Sequence, residues 1–267
     1  MKRIVLPVAL VMAVGLAACS KSSASPPASP SSTRLTVLGA ASLTKVFPQI
    51  GALFSKSHPG VSFTYSFAGT DQLAAQIQEG APADVFAGAS TKYGDQLADG
   101  GQIKPYTIFC TNQLVLITPA SNPAGITSPK DLATKPAKLV IGSETVPVGA
   151  YTRTVLSNLD SVYGDGYSDT VLSKVVSNED SVTSIVTKVE SGEADAGFVY
   201  ITDALAAGSQ VNTITLPADA QAVAKYPAAA VSASTHGSVA QQFVDFLVTA
   251  PAQALLQKAG FGAPPAS

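Results

Sequence analysis

Four times along this chain a short apolar run gives way to a few small or polar residues and then to a helical pattern. Residues 34–38 alternate as a first strand, Gly39-Ala40-Ala41-Ser42 forms the turn, and a helix follows from Leu43. Residues 61–67 lead likewise into Ala68-Gly69-Thr70-Asp71, residues 139–142 into the stretch 145–150, and residues 171–176 into Ser177-Asn178-Glu179-Asp180-Ser181-Val182. This alternation constrains the fold strongly. Strand, helix, strand in succession predicts a parallel sheet covered by helices, with the turns gathered at the strand C-termini. Small residues let a ligand approach the backbone there, and the first amides of a helix have no internal partner. A serine in such a place serves equally as an N-cap, so it is the repetition that points to anion binding.

The remaining elements follow from spacing and turn chemistry. Val46, Ile50, Leu53 and Phe54 place the first helix over about 43–56, with a kink or a late start at Pro48. His58-Pro59-Gly60 stops it, with His58 in a solvated turn. Residues 83–87 read as a third strand, and 106–118 as one long strand crossing between two lobes. Ser128-Pro129-Lys130-Asp131 reads as a capped helix start. Residues 196–200 read as a strand ending in Tyr200, Tyr226-Pro227 as the start of a second crossing, and 239–248 and 252–258 as closing helices. No repeat is visible residue by residue.

The chain opens with Lys2 and Arg3, an apolar run over 4–16 and then Leu16-Ala17-Ala18-Cys19, which is a secretory signal. Its ending resembles the lipobox of bacterial lipoproteins. That resemblance implies cleavage after residue 18, diacylation of Cys19 and anchoring on the outer face of the cell membrane. The Ser, Ala and Pro-rich segment 19–33 cannot bury a core and reads as a tether. The 249 residues left after cleavage suit two lobes. Without Lys2 and Arg3 the balance is 14 basic against 18 acidic residues, a net charge of −4. This argues against nucleic acid as a partner and requires any anion to be held by local donors. With Cys19 lipidated, Cys110 is left as a buried, inert thiol in an apolar run. His58 and His236 accompany no nucleophile motif, metal-spaced cluster or phosphate-binding Gly-Lys loop, so no enzyme is indicated. Asp84 and Asp195 each precede a strand and read as turn or cap residues. Lys45 and Arg153 lie inside helices and read as solvated charges.

Five blocks together resemble the exported molybdate-binding proteins of ABC transporters, which are type II periplasmic solute-binding proteins. They are Gly39-Ala40-Ala41-Ser42-Leu43-Thr44, Phe67-Ala68-Gly69-Thr70, Gly80-Ala81-Pro82-Ala83-Asp84-Val85-Phe86, Val146-Pro147-Val148-Gly149, and Gly192-Glu193-Ala194-Asp195-Ala196-Gly197-Phe198-Val199-Tyr200. The resemblance implies an α/β, two-lobed fold, each lobe a mostly parallel sheet flanked by helices, joined by two crossing strands. Lobe 1 would take residues 34–110 and 227–267, and lobe 2 residues 111–226. It implies an oxyanion, molybdate and also tungstate, held through its oxygens with no cofactor and no directly coordinated metal. Ser42 and Thr70 would donate through hydroxyl and amide, Val148 and Val182 through their amides, and Tyr200 through its phenol. A monomer delivering its ligand to an ABC permease with its ATPase completes the expectation. Two positions depart from the pattern: Thr70 where the family commonly has Ser, and Asp71 where a small neutral residue is usual. Asp71 is expected to point away from the ligand and serve its helix N-terminus. Each residue also has a structural reading, as N-cap, core valine or packed aromatic, and sulfate or phosphate would suit the same donors.

Overall fold

The computed structural model describes residues 32–265. The expected signal segment, Cys19 and nearly all of the tether lie outside the described residues. The tether expected to run to residue 33 stops short of it, because Thr33 already pairs with Val61.

The first sheet is built as the alternation requires. Strand β1 (Thr33–Ala40) runs through a single 3-10 turn, Ala41–Leu43, to helix α1 (Phe47–Ser57). Pro48 sits in the first turn of α1, where its missing N–H costs nothing, so the outcome is a late start and not a kink. Next come β2 (Val61–Ala68), α2 (Thr70–Gln78), β3 (Val85–Ala87) and α3 (Thr91–Asp99). β1 pairs in parallel with both β2 and β3. Leu35 and Val37 face the side of α1, packed with Phe47, Phe54 and Phe109, whereas Leu38 joins Leu73, Ile77, Phe86 and Leu97 on the other side. Helices on both faces explain why the second half of β1 is buried throughout.

The stretch expected as one long strand is two. β4 (Thr107–Asn112) belongs to the first sheet and β5 (Leu114–Pro119) to the second, with Gln113 between them. The second sheet continues with α4 (Asp131–Thr134), β6 (Leu139–Gly142), α5 (Pro147–Tyr163) and α6 (Tyr167–Leu172). β7 (Val175–Glu179), α7 (Val182–Glu190), β8 (Ala196–Tyr200), α8 (Ile201–Ala207) and β9 (Val211–Ile214) complete it. β10 (Ala224–Ala230) returns to the first sheet, where α9 (Gly237–Phe246) and α10 (Ala250–Lys258) close the chain.

Several expected boundaries move. The strand expected over 171–176 starts at Val175, and Val171 is a buried residue of helix α6. Short valine runs fit either period, and parallel pairing of Leu139 with Val175 decides this one. Ser128 does not cap α4; the Asp131 carboxylate instead accepts from the Thr127 and Ser128 amides at 2.8 and 3.1 Å. The return passage lies before Ala224, since Ala224 already pairs with Asn112, so the expected lobe borders at 110/111 and 226/227 fall inside β4 and β10.

The strand orders are β2-β1-β3-β10-β4 and β7-β6-β8-β5-β9. Three parallel strands are followed in each sheet by one antiparallel strand that arrives from the other lobe. The two halves therefore share one topology with no recognisable sequence repeat. Even a fastening recurs: Asp84 accepts from the Thr36 amide at 2.7 Å, and Asp195 from the Lys138 amide at 2.7 Å. Each carboxylate fastens the neighbouring parallel strand, Asp84 within β1 and Asp195 just before β6. Cys110 is fully buried, and burial pushes its thiol pKa well up, so it is no nucleophile.

Candidate functional site

The four turns singled out in the sequence meet at the seam between the two lobes. Ser42 from the 3-10 turn and Thr70 from the start of α2 come from the first lobe. Val148 in the first turn of α5, Val182 at the start of α7 and Tyr200 at the end of β8 come from the second. All five line one small hollow, with about 20 Å³ open to the centre of a water-sized sphere. Cavities for drug-sized organic ligands run to about 300–1,000 Å³, so this one has no room for such a ligand. The other walls are Ala, Gly, Val and Pro, and none of the lining residues is charged.

The hollow offers hydrogen-bond donors in a consistent sense. Val148 and Val182 sit in first helical turns, so their amides have no partner inside the helix. The Ala89 amide donates to Thr70 Oγ1 at 3.1 Å, which fills an acceptor position and frees the Thr70 proton for another partner. Tyr200 is buried, yet its hydroxyl makes no hydrogen bond within the protein. Burial pushes the Tyr200 phenol pKa well up, so it stays protonated and can only gain by donating. Ser42 Oγ lies 2.9 Å from Tyr226 OH. Helix starts and hydroxyls of this kind compensate an anion through aligned partial charges, without a formal cation.

The lobes meet around the hollow. Thr145 Oγ1 of the second lobe donates to Asp71 Oδ2 of the first at 2.9 Å, and the Tyr93 hydroxyl donates to the Thr145 carbonyl. Gln72 Nε2 reaches Asp180 Oδ2 at 3.4 Å. Asp71 lies in the first turn of α2, but its carboxylate bonds no amide there: Oδ2 is spent on Thr145 of the other lobe, and Oδ1 is buried without a partner. Arg153 corrects another expectation. It is not a solvated charge, because Nη1 donates to the Gly142 and Gly149 carbonyls at 2.9 and 3.0 Å and Nη2 to Asn178 Oδ1 at 3.0 Å. It ties the end of β6 to the start of α5 and so steadies Val148. Lys45 is exposed. His58 is only half-exposed, stacked on Phe54 with ring centroids 3.8 Å apart.

Sequence reasoning did not bring Asn112, Thr145, Tyr226 or the Ala89 amide to this seam. The one signal available was chemical: Asn112 is a polar side chain inside an apolar run. The structure also unites Ser234, His236 and Asp84, which sequence left apart. Ser234 Oγ donates to Asp84 Oδ1, and His236 Nδ1 lies 3.2 Å from the same oxygen. The hydroxyl bonds the carboxylate and not the imidazole, so the three do not form the serine–imidazole–carboxylate order of a hydrolytic triad. Among the described residues no group of three or more His, Cys, Asp or Glu could hold a metal ion.

Two like sheets exchanging a strand each, with a donor-lined hollow at their seam, are the architecture of a two-lobed solute-binding protein. The chain belongs to the family of bacterial extracellular solute-binding proteins, whose sequence model matches residues 35–262. It is 36% identical over 261 residues to the molybdate-binding protein ModA of Mycobacterium tuberculosis H37Rv, covering 96% of each chain. It is 32% identical over 239 residues to ModA of Escherichia coli K12, covering 85% of this chain and 88% of that one. The periplasmic molybdate-binding protein of Azotobacter vinelandii superposes with a TM-score of 0.75 at 24% identity, covering 86% of this chain and 100% of that one.

Proposed function

We propose that this protein captures molybdate, and tungstate with it, between its two lobes and presents the ion to an ABC permease and its ATPase. The observation that carries the reading is the hollow at the seam, walled by uncharged groups and supplied with amide and hydroxyl donors from both lobes. A tetrahedral oxyanion has acceptors on every side, which a donor-only cavity matches. The name carried by the relatives supports molybdate as the ion. Ser42, Thr70 and Tyr200 act through hydroxyls, and Ser42, Thr70, Val148 and Val182 through amides. Hydrogen bonds to a charged group contribute about 1.5–3 kcal/mol each. Several together offset the desolvation of a dianion, which one or two could not. Cys19 carries the lipid that holds the protein on the outer face of the cell membrane. The motivation is the Leu-Ala-Ala-Cys ending of the signal segment and the Ser, Ala and Pro-rich stretch after it. Sulfate presents the same acceptors, so cavity size is what separates it from molybdate, whereas phosphate near pH 7 also carries a proton that needs an acceptor.

Calorimetric titration of one preparation with molybdate, tungstate, sulfate and phosphate tests the reading. Micromolar or tighter binding of molybdate and tungstate, with sulfate at least about 100-fold weaker (about 2.7 kcal/mol), is expected. Tight sulfate binding with no molybdate binding would overturn the choice of ion.

A further inference from the structure

A chain of hydrogen bonds runs from the passage between the lobes to Ser42, and its first links have a fixed direction. The Gln113 amide donates to Asn112 Oδ1 at 3.0 Å. A backbone N–H can only donate, so that atom is the side-chain oxygen and Nδ2 faces the other way. Asn112 Nδ2 donates to Thr202 Oγ1 at 2.9 Å and to Tyr226 OH at 3.4 Å. Tyr226 OH accepts on that side, and Ser42 Oγ, 2.9 Å away, stands where it can take the Tyr226 proton. With Ser42 accepting in turn, the Ser42 proton is left to point into the hollow. Asn112 and Tyr226 are 2% and 0% exposed, so the chain is sheltered from bulk water.

We propose that Asn112 and Tyr226 are positioning residues that turn the Ser42 hydroxyl into a fixed donor toward the bound oxyanion. The inference rests on the hollow being the oxyanion site. A free hydroxyl must be ordered by the anion at an entropic cost; one whose acceptor position is already filled presents its proton in advance. Thr70 is held in the same sense by the Ala89 amide. The relay differs from that fastening in its place. Asn112 ends β4, Tyr226 lies in β10, and Thr202 belongs to α8 of the second lobe. The orientation of one donor is thereby tied to the two strands that join the lobes. Burial holds the Tyr226 phenol pKa well above its ordinary value, which keeps the relay protonated.

The test is a double-mutant cycle in molybdate affinity, measured by calorimetry on wild type, Tyr226→Phe, Ser42→Ala and the double variant. Phenylalanine keeps the ring packed against Phe109 and Phe261 and removes only the hydroxyl. Tyr226→Phe is expected to weaken binding about tenfold (about 1.4 kcal/mol) in the wild-type background. In the Ser42→Ala background it should cost less than about twofold, an inequality that loss of packing would not produce. Asn112→Asp, a near-isosteric acceptor, should draw the Tyr226 proton away from Ser42 and reproduce the loss. Equal losses in both backgrounds, or none in either, with wild type still binding molybdate, overturn the relay alone. A wild type that binds none of the four oxyanions overturns the relay together with the reading of the hollow.

Discussion

Asp203 follows Tyr200 by one turn of chain, and its Oδ2 is shut off from water with no hydrogen-bond partner. Burial pushes its carboxyl pKa from 3.8 up to about 7. The folded chain therefore keeps a proton that the unfolded chain releases. Across the window from about pH 4 to pH 7 the native state binds more protons, and stability falls as pH rises. Asp203→Asn should flatten that slope and raise Tm at pH 8 by at least about 2–4 °C, the shift of roughly 1 kcal/mol in a chain this size. Thermal melts of wild type and variant between pH 4 and pH 8 check it; parallel curves would show that the carboxyl is already ionised in the fold. Nothing in the sequence marks Asp203, because an aspartate in a first helical turn reads as an ordinary N-terminal charge. Asp84 and Asp195 were legible at the same scale, since an aspartate before a strand has few other uses.

Among the helix starts, α2 shows why glycine precedes it. Gly69 has φ −57° and ψ 139°, a conformation open to any residue. A Cβ there would lie 2.5 Å from the Asp180 carbonyl oxygen of the second lobe and 2.6 Å from Asp71 Oδ1. The glycine serves the approach of the lobes and not the local turn. Gly69→Ala should leave the ligand-free Tm unchanged and weaken molybdate binding by about 100-fold or more, near 2.7 kcal/mol. Calorimetry with parallel melts measures both, and unchanged affinity would mean that the lobes need not approach so closely. Elements with a clean period, such as β2 and α7, were legible from spacing. The strand at Val175 and the break at Gln113 were not. A valine run suits helix and strand alike, and a strand that changes sheets looks continuous until its partners are known.

For the molecule as a whole, closure depends on a few polar contacts between the lobes. The Asp71–Thr145 bond at 2.9 Å is the one of them beside the turn that carries Thr70. Thr145→Val should raise the molybdate dissociation rate several-fold with the association rate little changed, since the contact forms after encounter. Stopped-flow tyrosine fluorescence can follow it, as the chain has eight tyrosines and no tryptophan. An altered association rate with constant dissociation would place the contact before capture. What the sequence determined alone is the alternation of strands and helices, and with it the small-residue turns at the strand ends, because periodicity and turn chemistry are local properties. Which turns face one another is not local. It follows from β5 and β10 each crossing to the other sheet, which brings Ser42 and Thr70 opposite Val148, Val182 and Tyr200. The same crossing places Asn112 against Tyr226, 114 residues apart along the chain. Contacts at that separation leave no period in the sequence, and only packing of the two sheets decides them.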